Sequence, residues 1–298
     1  MNNVKTIFSI KDIENLTGIK AHTIRIWEKR YNILEPLRTD TNIRYYDIKC
    51  IQKILNITLL NKHGYKISHI AQLPEAEIPE LVNTIISDKS VNSHAISSFK
   101  MAMMNFDQAL FLTTYDTLLA EKTFQEIFFS IFIPLIEEIG YLWQTNTITI
   151  AHEHFISNLI KQKILVNSET VQKRDPLHSN KLFVLFLPDN EIHELGLLYL
   201  NYHIQNEGYQ TLFLGTSLPL SNLKEIKKHF NNITFICYMT VSPIASKLHE
   251  YIKLAEKEIL TDESEFWMIG RMVQYIKDEN LNKKFRIFNR LDTLTSHL

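Results

Sequence analysis

From Asn180 onward the chain alternates short apolar runs with amphipathic stretches, and that pattern leaves few folds open. "LFVLFL", "QTLFLG", "ITFICYM" and "EFWMIG" are apolar at neighbouring positions rather than at every second one, and "FRIFNR" forms a fifth run. Strands of this kind bury both faces and need cover on two sides. The intervening "LGLLYLNYHIQNEG", "LSNLKEIKKHF" and "ASKLHEYIKLAEKEI" carry helical periodicity and supply that cover. A doubly wound parallel sheet with flanking helices is expected over 176–298.

The preceding stretch, 94–175, is almost free of helix breakers. "FDQALFLTTYDTLLAE", "FQEIFFSIFIPLIEEIGYLW" and "ITIAHEHFISNLIKQKIL" each carry a broad apolar face, which predicts a helical bundle. Its greasiest run is interrupted by Pro134, Glu137 and Glu138, so it reads as a buried helix rather than a membrane span. Residues 76–93 are acidic, contain Pro79, and read as a linker with one helical piece.

Net charge is −1, yet Met1–Leu73 holds 12 Lys and Arg against 6 Asp and Glu. A basic head on an acidic body directs a polyanion to the head. There, Ser9 and Asp12 suit a helix N-terminus, Ile10, Ile13 and Leu16 share a face, and Gly18 makes the turn. The next helix, "AHTIRIWEKRY", places Ile24, Trp27 and Tyr31 inward and Arg25, Lys29 and Arg30 outward. Two extended arms follow, bearing Arg38 and Arg44 around Thr41-Asn42, and Asn tolerates the left-handed conformation of a hairpin tip. This predicts a winged helix-turn-helix over 1–75, with Arg25 and Lys29 toward the major groove and Arg38, Arg44 and Tyr46 on phosphates. The two cysteines, Cys50 and Cys237, match no metal or redox spacing, and the N-terminus shows no signal peptide. A reduced, cytoplasmic setting is expected.

The first strand of the α/β region breaks at Pro188-Asp189-Asn190, and Glu191, His193 and Gly196 follow. Ligands of open parallel sheets sit at the carboxyl ends of strands. A loop histidine there can offer Nε2 to a metal while a carboxylate holds Nδ1. Gly196 would let a bulky group approach the helix start. One histidine cannot hold a bare ion, so the metal would arrive chelated. The same residues also suit a plain helix cap in a solvated loop.

"TIRIWEKRYNILEPLRTDTNIRYYD" closely resembles the MerR family of transcription regulators, with Asn42 where Gly is usual. "EIHELG" resembles the lower-ligand loop of Rossmann-like cobalamin-binding domains, with Glu191 in place of Asp. Trp143, followed after nine residues by Glu153-His154, resembles the signature of light-dependent cobalamin repressors of the CarH/LitR type. The resemblance covers nearly the whole chain, in the order head, four-helix cap, cobalamin-binding domain.

It implies that His193 ligates cobalt and Glu191 orients it. Thr240, Ser242 and Gly270 would belong to the binding segments, and Trp143, Glu153 and His154 would face an adenosyl group. It also implies double-stranded operator DNA as partner, self-association to a dimer or tetramer, and no membrane. Two departures matter: Gln144 stands where a light-state histidine can occur, leaving His152 or His154 as substitutes, and Ile269 stands where a second glycine is usual. The function implied is an adenosylcobalamin-dependent, light-responsive repressor. The alternative is a light-independent MerR-type regulator that senses a corrinoid or another tetrapyrrole. A cobalamin enzyme would need a substrate barrel of about 250 residues, and no segment remains for one.

Overall fold

The computed structural model describes residues 7–39, 41–62, 64–84, 88–261, 263–276 and 281–298. They form two compact units, Met1–Leu159 and Ile160–Leu298.

The first unit begins with helix α1 (Ile10–Thr17). Ser9 caps it in a reciprocal box with Asp12, and Gly18 ends it at φ 75°. Helix α2 (Ala21–Tyr31) follows, buries Ile24, and closes on Asn32 in the left-handed region. Strands β1 (Leu37–Arg38) and β2 (Arg44–Tyr45) pair antiparallel, with Leu37 opposite Tyr45 and Arg38 opposite Arg44. Asn42 turns the tip at φ 63°. Helices α3 (Ile48–Lys62) and α4 (Ile67–Ile70) complete the head.

Helices α5 (Glu77–Thr84) and α6 (Asp88–Asn105) lead into the bundle, which continues with α7 (Gln108–Leu119). The long apolar helix is not uniform. It runs as α8 (Phe124–Ile127), a π-helical turn at Phe128–Phe132, and α9 (Ile133–Gln144). The wide turn lies just ahead of Pro134, whose missing N–H interrupts the regular ladder. Helix α10 (Ile150–Val171) passes from the first unit into the second. Phe99, Phe111 and Phe132 form the bundle's aromatic centre, with ring centroids 4.8–6.4 Å apart.

Head and bundle are joined inside the first unit. The Lys100 side chain on α6 is buried; its ammonium donates to the Leu16 carbonyl at 3.3 Å and to Glu138 at 2.7 Å. Asn15 donates to Thr147 Oγ1 at 3.1 Å.

The second unit is the expected parallel sheet. Strands β3 (His178–Pro188), β4 (Tyr209–Leu218), β5 (Ile233–Tyr238), β6 (Ser264–Ile269) and β7 (Phe285–Phe288) lie in the order β4-β3-β5-β6-β7, all parallel. Helices α11 (Leu195–Asn206), α12 (Ala245–Glu258) and α13 (Leu291–Thr295) accompany it. The helix expected over "LSNLKEIKKHF" is instead two 3₁₀ turns, Leu220–Lys224 and Ile226–Lys228. Leu220, Leu223 and Ile226 pack on the core at a spacing of three, which suits three residues per turn rather than 3.6.

Since β3 pairs with β4 on one side and β5 on the other, chain order reverses at β3. The carboxyl ends of β3 and β5 therefore border the crevice where open α/β sheets bind ligands.

Candidate cofactor site and nucleic-acid interface

At that crevice the fully buried Glu191 ties two loops together. Its Oε1 accepts from the Ile192 and His193 amides at 2.9 and 3.1 Å and lies 2.6 Å from His193 Nδ1. Its Oε2 accepts from the amides of Thr240, Val241 and Ser242 at 3.0, 2.6 and 3.0 Å. Burial pushes this carboxyl's pKa upward, but the His193 bond and the backbone amides outweigh it and hold it at about 2. The group is an anion inside the protein, stabilised by oriented N–H dipoles.

Further bonds tighten the crevice. Ser217 Oγ meets the Asn190 amide at 3.1 Å, and Ser242 Oγ donates to the Asp189 carbonyl at 2.8 Å. The N-cap of α11 is Glu194, with no side-chain cap bond, so the loop's polar groups serve this web rather than the helix start.

The His193 side chain itself is 54% exposed. With Nδ1 engaged, Nε2 is the nitrogen suited to a metal. Among the described residues no group of three His, Cys, Asp or Glu could hold a metal ion, and His193 offers one nitrogen rather than a chelating set. Exposed Ile192, Val241 and Ile244 stand on the same two loops, apolar cover fit for a flat macrocycle. The residues fit a corrinoid approaching from the solvent side.

The other expected binding residues have additional roles. Thr240 and Ser242 reach Glu191 through their amides, and Val241, which sequence reasoning passed over, makes the shortest of the three bonds. A Cβ on Gly196 would sit 2.6 Å from the Tyr238 ring, so this glycine admits Tyr238 against the helix. A Cβ on Gly270 would lie 2.4 Å from the Met239 carbonyl oxygen, and φ is 113° there, so two loops pass in close contact.

In the first unit, Trp143 lies in the last turn of α9 and is 49% exposed. Glu153 and His154 lie in the opening turns of α10, with His154 Nε2 3.4 Å from Glu153 Oε2. Ser157 Oγ donates to Glu153 Oε1 at 2.8 Å. His152 is buried instead, stacked on Phe106 with its Nδ1 accepting from the Thr149 amide at 3.2 Å, whereas the His154 side chain is exposed. The Gln144 side chain lies outside the described residues.

On the head, Arg25, Lys29 and Arg30 of α2 are exposed, as is Arg38 on the wing. Arg38 donates to Asn42 Oδ1 at 2.6 Å, and Arg44 Nε lies 3.5 Å from Glu28 Oε2. Tyr46 corrects the sequence expectation. It is fully buried, exchanges backbone hydrogen bonds with Phe8, and donates its hydroxyl to Glu28. Burial and the Glu28 carboxylate raise its pKa and keep it neutral, so it braces α2 against the wing instead of meeting phosphate.

Residues 8–77 match the MerR HTH family regulatory protein model, and residues 95–166 match the B12 binding domain model. The chain joins a MerR-type head to a B12-binding region. It is homologous to two Myxococcus xanthus proteins. One is the HTH-type transcriptional repressor CarH, 26% identical over 72% of this chain and 73% of that protein. The other is the HTH-type transcriptional repressor CarA, 25% identical over 82% of each. These relatives are regulators rather than enzymes. Among solved structures, the Methanosarcina barkeri monomethylamine corrinoid protein shares the fold. Its TM-score is 0.56 at 14% identity, covering 69% of this chain and 97% of that one. No described helix is long and apolar enough to cross a membrane.

Proposed function

We propose that the protein is an adenosylcobalamin-dependent transcriptional repressor released from operator DNA by light. The observation that carries the cofactor assignment is the Glu191 web, which spends a buried anion on presenting one exposed imidazole at the sheet's switch point. In this reading His193 Nε2 would hold the cobalt, and Thr240, Ser242, Gly196 and Gly270 would shape the corrinoid crevice. Trp143, Glu153 and His154 contact the adenosyl group. Arg25, Lys29, Arg30, Arg38 and Arg44 meet DNA. The functional divisions are 1–75, 76–93, 94–175 and 176–298.

When bound, the cofactor supplies a photolabile Co–C bond. Trp143, Glu153 and His154 would hold the adenosyl group. With it bound in the dark, the chain would assemble as a dimer or tetramer whose several heads grip the operator together, an assembly that illumination would undo. The repressor relatives and the B12-binding match support this reading.

The test is reconstitution with adenosylcobalamin in darkness, followed by absorption spectra, size exclusion and DNA retardation before and after green light. A larger dark oligomer that binds DNA and falls apart on illumination is expected. Cofactor-dependent DNA binding unchanged by light would leave a light-independent corrinoid sensor.

A further inference from the structure

The exposed face of α2 carries one residue that electrostatics does not explain. Successive helical residues turn by about 100°, so His22, Arg25, Ile26 and Lys29 lie within one arc, opposite Ile24. Ile24 is fully buried, whereas Ile26 is 52% exposed among the exposed side chains of His22, Arg25 and Lys29. A DNA surface built on charge alone would gain more from a polar residue there.

An isoleucine offers something the cations lack. It is β-branched, so in a helix it holds largely one χ1 rotamer and loses little freedom on contact. The major groove displays one apolar feature at its floor, the C5-methyl of thymine. With Arg25 and Lys29 turned to the major groove, Ile26, about 60° round the helix from Lys29, is carried toward base edges and must leave water.

We infer that Ile26 is a specificity-determining residue that reads a thymine methyl group in the major groove. The inference rests on the head being the DNA-binding surface. It adds a base-reading contact that phosphate neutralisation cannot supply. Leu37 and Ile43 are also exposed, but they lie on the wing or at its tip, outside this arc.

The test uses the full chain, loaded with adenosylcobalamin in the dark. Sites are first selected from a random duplex pool, and each thymine is then replaced singly by deoxyuridine, which removes only the methyl. Wild type is expected to bind roughly four-fold more weakly at one or more positions, the worth of one buried methyl group. Ile26→Ala should bind the thymine and deoxyuridine versions of that site equally, with its salt dependence unchanged. Wild type indifferent to every deoxyuridine, or Ile26→Ala still discriminating, overturns the role of Ile26 and leaves the DNA-binding reading intact. Failure to select any sequence from the pool overturns both.

Discussion

The His193 loop and the α2 face handle charge in opposite ways. At the loop, one buried carboxylate collects five backbone amides and a ring nitrogen, and the exposed imidazole is held at a set angle. On the head, cations stand in water on long flexible stems, with Arg38 folded onto Asn42. A metal ligand needs one geometry, so its support is fixed in advance. A phosphate backbone tolerates many geometries, so its partners can stay mobile until binding.

Glu191→Gln attacks the rigid side most directly. An amide nitrogen facing the Thr240, Val241 or Ser242 N–H groups, or His193, would oppose donor to donor. A loss of about 3 kcal/mol or more is expected, read as a lowered thermal midpoint of the apo protein together with weakened cobalamin binding. An unchanged midpoint would break the contrast between the two surfaces.

His193→Ala separates presentation from support. Cobalamin affinity should fall at least ten-fold, with a changed bound spectrum, because a ligand bond is lost. Apo stability should fall by about 1.5 kcal/mol, less than for Glu191→Gln, because Glu191 Oε1 loses one donor and keeps the Ile192 and His193 amides. A loss as large as that of Glu191→Gln would show that the ring is the web's main support and not chiefly its product.

Tyr46→Phe sharpens the head's side of the comparison. Removing its hydroxyl bond to a carboxylate should lower stability by about 1.5 kcal/mol and leave the salt dependence of DNA binding as it was. A flatter salt slope would return Tyr46 to the phosphate contacts. Arg38→Ala should do the reverse, reducing that slope by about one unit while the thermal midpoint stays put.

Local chemistry made much of this legible. Ser9, Gly18 and Asn42 act through their own backbone neighbourhoods, so their roles follow from residue type, and the runs around β3, β5 and β6 declare a buried sheet. What escaped depends on residues distant in sequence. Nothing in the spacing says that Glu191 meets the amides of 240–242, or that Glu28 takes the Tyr46 hydroxyl 18 residues on. Backbone amides carry no residue signature, so a carboxylate that collects them is invisible until the loops are in place. Tyr46 is ambiguous in the sequence because an aromatic hydroxyl beside Arg44 fits phosphate as well as a core, and only burial decides.

Lys100 behaves as a rivet. Its ammonium grips the last turn of α1 and the Glu138 side chain of α9 together, so the head does not hang from the bundle on a string. Beyond α1, only the short turn at Gly18 separates this joint from the helix bearing Arg25 and Ile26. Slippage would strip a buried cation of its partners, which keeps the joint stiff. A stiff joint there ties the position of that helix to the end of the bundle at α9.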